Sequence, residues 1–243
     1  MKFSFEVPIH SIDKFTEEQD YLFILAHHLD NKKYFDYVKK SKKYKILDNG
    51  CYELGESIDP DKLISLAITI NADTIIIPDK LFDKKRSEEL YKIFLEKIKP
   101  YRKRFLLMKV VCGNNVKEYL ESLKEIVRDK NVDIIGMSQS RTMIVPSLSF
   151  CMIKLKKYSK TNKPIHLLGL TSPYELLEAK EWPQIHTIDT GRAINFAFHK
   201  KKFPEMTKAI DYVKLSGYDI DTKRKLDVNL AKENIKKLKS YYK

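Results

Sequence analysis

The chain has 243 residues, and 46 Lys and Arg against 33 Asp and Glu give it a formal net charge of +13. That length holds one large domain with a core that needs no disulfides, and three scattered cysteines, Cys51, Cys112 and Cys151, exclude a disulfide scaffold or a CxxC zinc pattern. No apolar run reaches about 18 residues and the start "MKFSFEVPIH" lacks a signal-peptide core, so a cytoplasmic protein without membrane contact is expected.

Taken in chain order, the first strand-like segment is "YLFILAH" from Tyr21, then "YKILDNG" from Tyr44. The stretch "DPDKLISLAITI" reads as a helix with Asp59 as N-cap and Pro60 at its first position. Further strands follow in "ADTIIIPD" from Ala72 and "RFLLMKVVCG" from Arg104. The spacing in "NNVKEYLESLKEIVRD" predicts a helix, and strands return in "VDIIGMS" from Val132 and "PIHLLGL" from Pro164. "SPYELLEAKEW" carries a capping box, Ser172 with Glu175 three residues on, and Pro173 between them. The last strand is "IHTIDTG" from Ile185, in which His186 reads as a satisfied core residue. "SGYDIDTKRKLDV" from Ser216 is the most loop-like and mobile segment, and "NLAKENIKKLKSYY" closes the chain as a basic amphipathic helix.

Short, nearly continuous apolar strands are buried on both faces, and strand–helix alternation builds a parallel sheet. About seven repeats in this length favour a (β/α)8 TIM-type barrel, α/β in class, over an open doubly wound sheet. One domain spans residues 1–243, with its motifs between 44 and 197 and a basic helical region over 200–243. The strands end in Asp48 and Asn49, Pro78 and Asp79, Cys112 and Gly113, Gly136 to Ser138, Leu168 and Gly169, and Asp189. In a parallel barrel these ends share the face where active sites form. Three aspartates gathered there raise one another's pKa, although a strand-end Asp taken alone is also an ordinary helix cap or Asx turn. Gly50, Gly113, Gly136 and Gly169 leave room for a planar ligand against the backbone. Cys51 and Cys112 read as small core side chains.

The pair "LLGLTSPYELL" and "IDTGRAINFA" resembles the segment of tRNA-guanine transglycosylases that leads to the nucleophilic aspartate. "LDNGCYELG" is similar to that family's Asp-Ser-Gly-Gly-Phe-Gln motif, "ADTIIIPD" to its base-recognising strand, "VVCGNN" to its Val-Gln-Gly-Gly stretch and "IIGMS" to its Gly-Leu pair. The resemblance implies Asp189 as nucleophile, Asp48 as general acid/base and Asp79 as reader of the base edge. It implies Gly136 and Met137 as backbone contacts to the base, with Gly169 at the strand end and Leu168 and Tyr52 packing on the base's faces. Cys112 stands where the family has Gln, and Asn49 and Cys51 replace its Ser and Gly. The zinc module, the helical insert and an appended RNA-binding domain are missing, which brings the chain nearer to the phage and genomic-island branch that inserts 7-deazaguanines into DNA.

The expected chemistry is exchange of guanine for a 7-deazaguanine of preQ0 type. A carboxylate attacks C1′ and holds the sugar as an ester, while a second carboxyl group protonates the departing base. The target base must be extruded or single-stranded. Arg192 is expected to pair with the nucleophile or a phosphate. Lys200, Lys201, Lys202, Lys223, Arg224 and Lys225 are candidate phosphate contacts, or equally a solvated charged face. DNA is the expected partner with the free base as co-substrate, alongside other proteins of a modification pathway; no cofactor and no metal are expected. A reduced tRNA-guanine transglycosylase and an inactive nucleic-acid-binding or partner-binding barrel are the alternatives.

Overall fold

Eight short segments rich in Ile, Leu, Val and Phe become strands, and polar turn residues set the helices between them. In a computed structural model of the chain, the described residues are 1–138, 143–158, 162–169, 173–204 and 219–242. The strands are β1 (Lys2–Phe5), β2 (Leu22–Leu25), β3 (Lys45–Asp48), β4 (Thr74–Ile76), β5 (Leu106–Val110), β6 (Ile134–Ser138), β7 (Ile165–Leu168) and β8 (Ile185–Thr190). All pair in parallel in the order β1-β8-β7-β6-β5-β4-β3-β2. This is the expected (β/α)8 architecture as a nearly closed barrel. The eighth strand is β1, which the sequence reading passed over. Its four residues are too few for a visible alternation.

The ring closes between β1 and β2 mainly through side chains, with one backbone bond and no ladder. Gln19 accepts from the Phe5 N–H at 2.6 Å and donates to the Phe5 carbonyl at 2.7 Å. Asp20 accepts from the Phe3 N–H at 2.8 Å and its own N–H donates to the Phe3 carbonyl at 2.9 Å. The Ser4 hydroxyl accepts from the Phe23 N–H and donates to Gln19. Buried backbone groups that lack strand partners are satisfied in this way.

Around the barrel lie α1 (Lys32–Lys40), α2 (Cys51–Leu54), α3 (Pro60–Ile70), α4 (Lys84–Ile98), α5 (Val116–Arg128), α6 (Leu148–Tyr158), α7 (Pro173–Lys180), α8 (Arg192–Phe198) and α9 (Val228–Ser240). Asn31, Asp59, Asp83, Asn115 and Asp227 cap α1, α3, α4, α5 and α9 by accepting from first-turn N–H groups, which supplies partners for otherwise orphaned donors. The Ser172 cap lies outside the described residues. Among the described residues no helix is long and apolar enough to cross a membrane.

Alternate residues of each strand separate two cores. Phe3, Leu47, Ile75, Leu107, Ile135, Met137, Leu167 and Ile188 pack outward under the helices. Tyr21, Ile46, Ile76, Met108 and Ile134 fill the barrel, with Phe23, Val110 and Leu168 against them. The interior turns polar toward the carboxyl ends of β7 and β8, where His166 is fully buried.

The segment from Asp219 is less free than its composition implies. Its Ile220 carbonyl accepts from the Ile9 N–H, Thr222 contacts His10, and Asp219 pairs with His28 at 3.1 Å. Residues 216–218 of that segment lie outside the described residues.

Candidate active site

The β3 end places Asp48 at the rim, 8% exposed, with the Gly50 N–H donating to its Oδ2 at 2.8 Å. The next residue ties two strand ends together: Asn49 Nδ2 donates to the Ile77 carbonyl and to Asp79 Oδ1, both at 2.8 Å. Asn49, read from sequence only as a departure from the family pattern, is thus the bracket that aims Asp79. Asp48, Asp79, Asn49, Cys51, Tyr52 and Phe82 stand among the walls of one cleft, with Cys112 and Leu168 on its far side. The cleft encloses about 550 Å³ when counted out into the solvent at its open mouth. Tyr52 is 68% exposed at the mouth. Phe82 has φ of 58°, a left-handed conformation that a bulky residue adopts only when its surroundings impose it.

Asp189 sits apart from these walls. It is 2% exposed, and its carboxylate takes a 3.1 Å bond from the Gly169 N–H, a 3.0 Å bond from His166 Nε2 and a side-chain hydrogen bond from Glu6. His166 Nδ1 lies 2.8 Å from the Thr187 hydroxyl, and the ring stacks on Phe23 at 5.4 Å. Burial pushes the His166 pKa down to about 3, so the ring is neutral. An ionised Asp189 then takes the Nε2–H, and Nδ1 accepts from Thr187.

Burial is the first cause of every carboxyl shift here, with neighbouring like charge added at Asp48 and Asp189. Asp189 is pushed up to about 7. Asp79 is raised to about 6, moderated by the Asn49 bond. Asp48 is raised well above its ordinary value by burial, then by Glu53, Asp189 and Asp79, with the Gly50 N–H opposing. Near neutral pH this leaves Asp79 largely ionised, while burial and like charge make Asp48 hold a proton more readily than an ordinary carboxyl group. Among the described residues no group of three or more His, Cys, Asp and Glu side chains is arranged to hold a metal ion.

Several sequence expectations need correction. His186 is exposed, not core, because Thr187 and Asp189 face inward and His186 is out of phase with them; the buried histidine is His166. The Gly136 carbonyl is taken up by the Val111 N–H in the sheet at 2.9 Å and the Met137 side chain is buried in the outer core; neither residue is among those that line the cleft. Gly113 and Gly136 are small for packing reasons. A Cβ on Gly113 would lie 2.6 Å from the Tyr119 amide nitrogen, and one on Gly136 3.1 Å from Val110 and Leu168 side-chain atoms. Arg192 lays its guanidinium over Phe196, 5.2 Å from the ring centre, while Asp189 is held by Gly169, His166 and Glu6.

The basic residues divide. Arg224 lies over Phe198, at 5.0 Å, and with the exposed Lys223 and Lys225 follows the rim segment tied to His28. Lys200, Lys201 and Lys202 follow the far end of α8, which starts just after Asp189. At 1.5 Å per residue they lie about 10 Å down the flank from the rim. Glu6 and His166 are the site residues that sequence reasoning missed. The period-2 phase set by Leu168 and Asp189 marks His166 as inward-facing, and only recognition of β1 exposes Glu6. No protein-family model matches the chain, and no curated protein matches it.

Proposed function

We propose that the protein exchanges a guanine in DNA for a 7-deazaguanine base, with a glycosyl ester on Asp189 as intermediate. The observation that carries this reading is the gathering of three carboxyl groups in distinct surroundings at the barrel's carboxyl end. Asp48 and Asp79 share a cleft with the planar side chains of Tyr52 and Phe82, and Asp189 is held rigidly beneath by donors on two of its oxygens.

Asp79, ionised above about pH 6, accepts hydrogen bonds from N–H groups of the base. Asp189 attacks C1′ as the C1′–N9 bond breaks, and the bonding electrons leave with the guanine. Asp48, whose raised pKa favours its protonated form, donates its proton to that base. The incoming base returns a proton to Asp48 and displaces Asp189 from C1′, restoring the carboxylate. A rigid strand beneath the nucleophile matters because a misplacement of about 1 Å costs on the order of a hundredfold in rate. Asp189 does not line the cleft and is 2% exposed, so sugar binding must first open a path to it. The net charge of +13 supports a polyanionic polymer, and we take DNA as that polymer.

The test is nucleoside mass spectrometry of DNA and tRNA from cells expressing the chain with a deazaguanine supply. Deazaguanine in DNA, lost in Asp189→Ala, supports the proposal. Deazaguanine only in tRNA replaces the polymer and keeps the chemistry. Without incoming base, a denaturation-resistant adduct should map to the peptide containing Asp189; an adduct on Asp48 exchanges the two roles.

A further inference from the structure

We propose that the groove between the turn Ile9–Phe15 and α1, with the segment Asp219–Lys225 above it, is a track for the phosphate backbone of a nucleic-acid strand that leads to the cleft. That the strand ends in the cleft rests on the base-exchange reading; that the track holds phosphates does not.

The charge is concentrated in sequence first. From Lys32 to Lys43 the chain carries six lysines against one acidic residue, Asp36, whereas α5 sets three glutamates against its three basic residues. Five of the six, Lys32, Lys33, Lys40, Lys42 and Lys43, line one groove together with Asp13 and Asp36. Lys33 pairs with Asp13 at 3.2 Å, and Lys43 donates to the Thr16 and Gln19 carbonyls. Lys32, Lys40 and Lys42 are exposed and have no ion-pair partner among the described residues. Such cations gain by neutralising phosphates, which frees the strand's counterions. Lys32 and Lys40 lie about 12 Å apart along the helix at 1.5 Å per residue. That is the reach of three or four phosphates at about 3.4 Å each in a B-form strand.

The groove continues to the rim. Helix α1 follows β2, so its first residues lie toward the barrel's carboxyl end. There Lys33 Nζ donates to the His10 carbonyl at 2.9 Å, and His10 Nδ1 lies 3.1 Å from the Thr222 carbonyl oxygen. Asn31 Nδ2 reaches Asp221 at 3.4 Å. Lys223, Arg224 and Lys225 come next and are exposed. Ile220, 4% exposed, anchors this segment, and Asp219 ties it to His28. The neighbouring His27 stands close to Gly50, where a Cβ would lie 3.3 Å from its Nδ1, and Tyr52 of the cleft is two residues further on. The acids on this path are engaged: Asp13 by Lys33, Asp30 by Lys62 and Asp219 by His28.

The experiment is fluorescence anisotropy of a labelled single-stranded DNA oligonucleotide of mixed sequence, titrated with the full chain at several salt concentrations. On a single strand each neutralised phosphate contributes about 0.7 to the slope of log K against log salt. Lys32→Gln with Lys40→Gln and Lys42→Gln should therefore flatten the slope by up to about 2, and adding Lys223→Gln with Lys225→Gln should flatten it further. Lys117→Gln with Lys124→Gln and Lys130→Gln makes the same change of charge on and just after α5 and should leave the slope unchanged. All these side chains are exposed, so the variants should keep the wild-type fold, which circular dichroism checks. Equal flattening by the α1 and α5 variants, or none by the α1 variant, overturns the track. So does a wild type that ignores the oligonucleotide and sediments with vesicles of an anionic phospholipid. The expected slope changes without base exchange in cells refute only the base-exchange reading.

Discussion

Replacing Asp189 by Asn should make the protein more stable at alkaline pH while removing its proposed nucleophile. Unfolded, the Asp189 carboxyl ionises near its ordinary 3.8; folded, it holds its proton up to about 7. Below about pH 4 it is protonated in both states and burial costs little. Between about 4 and 7 the unfolded chain gives up the proton and the folded one keeps it, so stability falls as pH rises, by at most about 1.4 kcal/mol per pH unit. Above about 7 the loss levels off near 4 kcal/mol, from the width of that window. Asn has nearly the same shape and does not ionise. Its oxygen can accept from the Gly169 N–H, and its NH₂ can donate to His166 once the ring takes the other tautomer and donates to Thr187. Urea unfolding of wild type and Asp189→Asn should therefore give nearly equal stabilities at about pH 4 and a gain approaching 4 kcal/mol for the variant at about pH 8. Equal stability at the alkaline end, or the same gain at both ends, would refute the argument.

Asp79→Asn should keep the fold and weaken base binding by roughly 1–3 kcal/mol, because an amide offers a donor where the base needs an acceptor; calorimetry with the free base reads this. In wild type that affinity should fall as pH drops through about 6, and the dependence should be absent in the variant. Gly113→Ala should cost about 1–3 kcal/mol in urea unfolding, because the new Cβ meets backbone at the start of α5 and the turn must shift. His166→Leu should destabilise by roughly 1–3 kcal/mol by stranding partners at Asp189 and Thr187, and near-native stability would show that both find new ones.

The barrel was legible because its strands are buried on both faces and read as apolar runs, while caps such as Asp59 and Asn115 announce the helices. β1 escaped because "KFSF" is too short to display its period and was weighed only as a start sequence. Of the site, the rim aspartates were legible as the one polar residue ending each apolar run. Their partners were not. Glu6 reaches Asp189 across the meeting of the first and last strands, a contact no local pattern encodes. His166 and His186 were confused because strand composition does not state phase; the inward-facing Asp189 two positions beyond Thr187 does. Gly136 looked like a ligand contact, since a glycine made necessary by packing across the barrel looks the same in sequence as one made necessary by a ligand.

The Gln19 and Asp20 closure has a mechanical meaning. Seven of the eight joints around the cylinder are ladders that part only residue by residue, whereas the eighth rests on the side chains of Ser4, Gln19 and Asp20 and a single backbone bond between Asp20 and Phe3, most of which part by rotamer changes. Amide hydrogens of Phe3 and Phe5 should therefore exchange with solvent ahead of their neighbours on β8, through brief local openings and not global unfolding. Because Glu6 follows directly on that strand, each opening also loosens the grip on Asp189. The joint that completes the cylinder is thus the element through which its slow breathing reaches the carboxylate.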